Sequence, residues 1–213
     1  MTETITLTDL DLAALLCSKV CHDIISPVGA ITNGLEVLDE DGGEDMREFA
    51  MDLIHKSARQ ASAKLQFARL AYGAAGSAGA EVDLADAEAV ARGYMAGEKA
   101  DIEWTAPRLL VPKNKVKLLL NLVLIAISAI PRGGNINVVF EGDGEHPTMT
   151  LRSTGPHARI PTGVEDLLSG HSTDGSADAH SIQVVYAGML ARSAGMTVSV
   201  AKDGEDILFV ARG

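Results

Sequence analysis

Aromatic side chains are scarce in this 213-residue chain, at 4%, although its hydrophobic fraction of 46% is ordinary. Alanine and leucine must therefore fill much of the interior, which suits closely packed helices. Cysteine is nearly absent. Cys17 and Cys21 lie four apart on one predicted helix, where successive turns give poor disulfide geometry, and no His/Cys set with zinc spacing accompanies them. Both are expected to be small buried hydrophobes in a reducing compartment. Positive charge is short as well: 18 Lys and Arg face 29 Asp and Glu, for a net charge of -11. A general grip on nucleic acid needs clustered cations and is excluded. Acidic and basic protein partners both remain open. The most apolar run, Leu118 to Ile130, is interrupted by Asn121 and falls short of the roughly 20 residues of a bilayer span. The N-terminus lacks the basic start and apolar core of a signal peptide. A soluble, cytoplasmic protein without membrane contact is expected.

What is present begins with helical periodicity. After a Thr8 or Asp9 N-cap, Leu12, Ala13, Leu16, Val20, Ile24, Val28, Ile31, Leu35 and Leu38 recur every three or four positions, predicting one helix to about Asp39. Asp39-Glu40-Asp41-Gly42-Gly43 ends it. A second helix starts at Glu44-Asp45, with acids at its positive end, and runs to about Tyr72. Two long helices joined by a short turn form an antiparallel hairpin. Alone, it cannot bury two wide apolar faces, so a second copy and a four-helix bundle are expected.

Within the first helix stands Cys21-His22-Asp23-Ile24-Ile25-Ser26-Pro27-Val28-Gly29. At about 100° per residue, His22 lies opposite Ala13, Val20, Ile24, Ile31 and Leu38, and so faces solvent. Its surface neighbours are Leu15, Ser18, Lys19, Ile25, Ser26, Gly29 and Asn33, several of them small enough to let a partner dock. Proline inside a helix costs roughly 3 kcal/mol and glycine about 1 relative to alanine. Stability alone does not favour the pair one turn from an exposed histidine. On spacing alone, a phosphoacceptor and a surface histidine beside a kink fit equally.

Beyond the hairpin, Gly73-Ala74-Ala75-Gly76-Ser77-Ala78-Gly79-Ala80 is a run of small residues poor in large apolar side chains, and reads as a flexible linker. The expected division is a hairpin over 1–73, a linker over 74–81 and an α/β unit over 82–213. In that unit helices are expected at Leu84–Ala96, Val116–Ala129 and Ser181–Ser193. Strands are expected at Ile102–Thr105, Asn135–Glu141, Thr148–Ser153, Met196–Ala201 and Ile207–Ala211, the last two pairing as a hairpin. Residues 154–167 read as a loop and 169–179 as a mobile segment. The fold class is α+β. His55, His146, His157, His171 and His180 have no spaced metal partners and read as ordinary surface residues.

His22-Asp23-Ile24-Ile25-Ser26-Pro27 resembles the phosphoacceptor box of histidine kinases, in which an acid follows the histidine and a proline lies five after it. The order of parts is similar too: a dimeric helical hairpin, a hinge, then an ATP-binding α/β sandwich. The nucleotide motifs are broken. Asn121 matches the first of two helix asparagines, but Ile125 replaces the second, which holds magnesium. Ser153-Thr154-Gly155-Pro156-His157 stands where Asp-x-Gly-x-Gly would recognise adenine, with Ser153 for the Asp and His157 for the second glycine. Asp178-Ala179-His180-Ser181-Ile182 replaces the glycine-rich lid. A phosphoacceptor box joined to such a domain resembles the ChpT family of dimeric histidine phosphotransferases.

That resemblance implies relay without ATP or any other nucleotide. His22 would accept a phosphoryl group from the receiver domain of a hybrid histidine kinase and pass it to response regulators in cell-cycle control. Asp23 would orient the Nδ1 proton, Lys19 would offset phosphoryl charge, and Ser26 would hydrogen-bond it. Leu15, Ser18, Ile25, Gly29 and Asn33 would dock the partner. No cofactor of its own is implied; Mg2+ would come with the receiver. Two alternatives stay open: an active ATP-dependent histidine kinase, and a dimeric adaptor that only recruits partners.

Overall fold

A computed structural model describes residues 2–40, 43–73 and 80–213. A two-residue strand, β1 (Glu3–Thr4), precedes the long helix α1 (Asp9–Asp39). Thr8 is its N-cap. The Thr8 hydroxyl accepts from the Asp11 amide while the Asp11 carboxylate accepts from the Thr8 amide, both at 3.2 Å, a capping box with aspartate in the usual glutamate place. Glu40 closes the helix and α2 (Glu44–Ala71) returns beside it. The two pack closely because Gly34 is buried: a Cβ there would sit 2.7 Å from the Ile54 side chain and 3.2 Å from the Ala50 carbonyl.

The second part comprises β2 (Glu81–Asp83), α3 (Leu84–Met95), β3 (Ala100–Thr105), β4 (Leu110–Pro112), α4 (Lys113–Ala129), β5 (Gly134–Glu141), β6 (Thr148–Thr154), α5 (Val164–Ser169), β7 (His171–Ser172), α6 (Ile182–Ser193), β8 (Thr197–Asp203) and β9 (Asp206–Arg212). Five strands form one sheet in the order β3-β5-β6-β9-β8. The β3–β5 pair is parallel and the rest are antiparallel. Alternate residues Ile136, Val138, Phe140, Met149, Leu151, Ile207 and Phe209 point inward and are at most 2% exposed. They meet α3, α4 and α6 on one face, an α+β sandwich. The other face is half-exposed and carries polar pairs, such as Asn137 with Glu103 and Arg152 with Asp203 and Asp206.

Helix α4 is the centre of the molecule. Twelve of its residues are buried, as expected of a helix apolar nearly all round. Its polar members reach across to the end of the hairpin. Asn121 Nδ2 donates to the Ala71 carbonyl at 3.3 Å and to Lys117 O at 2.8 Å, and Lys117 Nζ donates to the Tyr72 carbonyl at 3.4 Å. The last carbonyls of a helix have no partner within it, so α4 supplies the cap that α2 lacks. Burial, then the neighbouring Lys113, pulls Lys117 below the ordinary lysine range. Phe67, 1% exposed, packs on Tyr94 of α3 with ring centroids 4.7 Å apart, and the hairpin is thereby seated on the sandwich.

Several expectations need correction. The stretch read as a loop, 154–167, runs into α5 (Val164–Ser169), which is capped at both ends by left-handed glycines, Gly163 and Gly170. The segment read as mobile contains β7, which pairs antiparallel with β1 and is followed by two tight turns. Asp174 Oδ1 accepts from Ser176 N and from both neighbouring serine hydroxyls. Asp178 Oδ1 accepts from the His180 and Ser181 amides. These bonds, Ser176 first for Asp174 and Ser181 first for Asp178, hold both carboxyls below the ordinary range. Cys17 and Cys21 are exposed rather than buried, because the α1 face that carries them meets no other element. Ala13 is exposed too, while Val20, Ile24, Ile31 and Leu38 are half-buried as the periodicity predicts. Helix α1 runs uninterrupted through a buried Pro27. Most of the expected linker, 74–79, lies outside the described residues; Glu81 already belongs to β2.

The α5–α6 contact yields a test of the packing. A Cβ on Gly188 would lie 2.0 Å from the Leu168 carbonyl oxygen, a backbone atom that cannot swing away. Gly188→Ala is expected to lose about 2 kcal/mol or more, despite a helix-propensity gain of about 1. Thermal denaturation should register a Tm about 5 °C lower.

Candidate functional site

His22 sits near the middle of α1 with its side chain 75% exposed. Asp23 turns inward instead, its side chain 19% exposed. One Asp23 oxygen lies 3.6 Å from His22 Nδ1, an electrostatic contact too long for a hydrogen bond. The other accepts from the Lys19 ammonium, one turn earlier on the helix. Lys19 is itself mostly buried, so its charge is directed first to Asp23. The i, i+4 spacing brings the two together. Half-burial lowers the local dielectric and strengthens the pair relative to one in open water.

Around the histidine, Ser18, Ile25, Ser26, Gly29 and Asn33 are exposed and Leu15 is half-buried. Ile25 keeps 69% of its surface, and a Cβ on Gly29 would meet nothing within 4 Å. The surface beside His22 is thus low and partly apolar, as the helical arithmetic predicts.

Sequence reasoning missed the other wall. A cleft of about 270 Å³ runs between α1 and the sandwich, lined on one side by Lys19, His22 and Asp23. Tyr94, Ile125, Ser128, His180 and Gln183 are on the other. His180 approaches His22 with ring centroids 6.2 Å apart. Burial, then the Asp23 carboxylate, pushes the Tyr94 hydroxyl above the ordinary tyrosine range, and Tyr72 beneath the cleft responds in the same way. Gln183 is 7% exposed and its Nε2 has no partner among the described residues. The one available signal was positional, since His180 occupies the place of a lid in the kinase resemblance.

Of the positions where nucleotide motifs would lie, Asn121, Ile125 and Ser153 are buried, whereas His157, Asp178 and His180 are exposed. Asn121 is fully buried and ties α4 to the end of α2. Its Oδ1 is unpaired among the described residues. Ile125, 2% exposed, presents only carbon to the cleft. Ser153 is buried, its hydroxyl donating to the Ala126 carbonyl at 3.0 Å. His157 takes a left-handed φ of 61°, a conformation in which glycine is the usual occupant.

Comparison with known proteins agrees with this arrangement. The family model for the histidine phosphotransferase C-terminal domain matches residues 84–206. The chain is 53% identical over 207 residues to protein phosphotransferase ChpT of Brucella abortus (strain 2308), covering 97% of this chain and 98% of the relative. A solved bacterial phosphotransferase structure superposes with a TM-score of 0.90 at 50% identity, covering 98% of both chains. The chain belongs to the ChpT family of histidine phosphotransferases.

Proposed function

We propose that His22 is the phosphoacceptor through which this phosphotransferase relays a phosphoryl group between receiver domains. The observation that carries this is an exposed imidazole beside a half-buried Lys19–Asp23 pair on a rigid helix. The donor would be an aspartyl phosphate on the receiver of a hybrid kinase. Imidazole is largely neutral near pH 7 and is then nucleophilic. With the proton on Nδ1, toward Asp23, the Nε2 lone pair attacks phosphorus in line. The N–P bond forms as the P–O bond to the receiver aspartate breaks, and that carboxylate leaves with the electron pair. Asp23 stabilises the positive ring that results and holds its tautomer. Lys19 fixes the Asp23 carboxylate, and Ser26, one turn on, is placed to hydrogen-bond the incoming group. The reverse reaction on a response regulator completes the relay. Magnesium is expected from the receiver, not from this chain.

Docking would use Leu15, Ser18, Ile25, Gly29 and Asn33, whose small or apolar surfaces admit a partner. The absence of nucleotide binding is supported by Ile125 at the metal-ligand position and by Asn121 and Ser153, both committed to internal hydrogen bonds. A homodimer is supported by the apolar side chains the hairpin leaves uncovered. Val28 and Leu35 of α1 and Met46, Phe49 and Leu65 of α2 are 45% to 63% exposed, large apolar side chains on both helices of one hairpin. Pairing two hairpins buries them in a four-helix bundle. Helix α1 has the length and composition of a bilayer span, with a mean hydropathy of 1.3 over its most apolar window. It carries Lys19, His22 and Asp23 at its middle and packs along α2, and a cytoplasmic role in cell-cycle signalling fits better.

Three experiments follow. Mixed with a phosphorylated receiver, the chain should take up acid-labile label and His22→Gln should take up none; equal labelling of the variant would remove His22 from the mechanism. Calorimetric titration with a non-hydrolysable ATP analogue and Mg2+ should give no binding heat. Saturable binding, or autophosphorylation from labelled ATP, would mark a kinase. In sedimentation equilibrium the chain should run as a dimer, and Leu35→Glu with Phe49→Glu should run as a folded monomer.

A further inference from the structure

We propose that His180 is a catalytic residue of the transfer, donating a hydrogen bond to the phosphoryl group on its way to and from His22. The proposal rests on the assignment of His22 as phosphoacceptor. Two histidines from opposite ends of the chain share one cleft, with ring centroids 6.2 Å apart and planes inclined at 58°. At that separation the rings fall short of a direct hydrogen bond even when turned nitrogen to nitrogen. The space suits a tetrahedral group bonded to one ring and hydrogen-bonded to the other.

The position of His180 is set by the backbone around it. Asp178 Oδ1 accepts from its amide at 3.0 Å and from the Ser181 amide at 2.7 Å, which fixes the turn. Upstream, the β1–β7 pairing, Thr4 opposite His171, fastens the same segment to the chain just ahead of α1. The Ile5 amide adds a bond to the Gly170 carbonyl at 2.8 Å. Both rings are therefore held by elements anchored to each other. The His180 ring is exposed, as a group that must reach a transferring phosphoryl has to be.

The chemistry of the cleft demands a donor there. In the in-line transition state the phosphoryl oxygens carry most of the negative charge, and preorganised donors are the largest source of stabilisation. Lys19, the cation nearest His22 on α1, is already paired with Asp23. His180 supplies an N–H from the facing wall. Gln183 lines the same wall, more than nine-tenths buried and with its Nε2 unpartnered among the described residues, although buried donors are nearly always satisfied. A small rotation of that side chain would bring its amide to a phosphoryl oxygen in the cleft. The His180 proton stays on its ring throughout, so the bonds made and broken remain those of the His22 step. On this account the sandwich contributes half of the catalytic site.

The test uses the full-length chain and a phosphorylated receiver under single-turnover conditions. His180→Ala should slow the maximal transfer rate by about 100-fold, the scale of one lost transition-state donor. The half-saturating receiver concentration and the melting temperature should not change. His180→Asn, which keeps an N–H donor, should recover part of the rate, and Gln183→Leu should lose less than His180→Ala. If His180→Ala transfers at the original rate while His22→Gln takes no label, the proposal fails and the phosphoacceptor assignment stands. If only the half-saturating concentration rises, His180 docks the receiver and is not catalytic. If label persists in His22→Gln and vanishes in His180→Ala, both assignments fall.

Discussion

The arrangement depends on how α4 finishes α2. A helix of 28 residues ends with carbonyls that need donors, and burying that end uncapped is costly. Asn121 and Lys117 meet the need from a helix that is otherwise almost wholly apolar. Because α4 is also the middle of the sandwich, the hairpin end and the sheet are joined through one core. Phe67, Ala71 and Leu84 belong to the same packed cluster as Leu119 and Phe209. The orientation of α1 relative to the sandwich is therefore a packing matter, and so is the width of the cleft beside His22.

That junction also gives the kinase-like positions of the sequence a structural task. Asn121 looks like a remnant when aligned in thought with a nucleotide-binding helix. In the fold it holds two elements together. Ser153 likewise ties the end of a strand to α4. At these depths a polar side chain left without a partner is costly, and these internal hydrogen bonds are what the two side chains supply.

Much of this was legible in the sequence, because it rests on local signals. The starts of α1 and α2 follow from Thr8 and Glu44 with periodicity, and α3, Leu84–Met95, ends one residue short of the expected Leu84–Ala96. The exposure of His22 follows from angular spacing alone. What escaped depends on long-range pairing of short pieces. β1 and β7 are two residues each and carry no alternation to read, and α5 is bracketed by left-handed glycines inside a polar stretch. Consequently His180 read as an ordinary surface residue, although it faces His22. Spacing also placed Lys19 beside the histidine correctly but could not say that its charge was already engaged by Asp23.

The β1–β7 strap also bears on how the molecule assembles. It joins residues 3–4 to residues 171–172, so its closure carries the loop entropy of most of the polypeptide. Hairpin and sandwich each have local contacts that form without it. The strap is then expected among the last pieces to lock during folding and among the first to open in the native state, with hairpin and sandwich intact beneath it. Opening it would loosen the segment leading to His180, whose ring shares a cleft with that of His22.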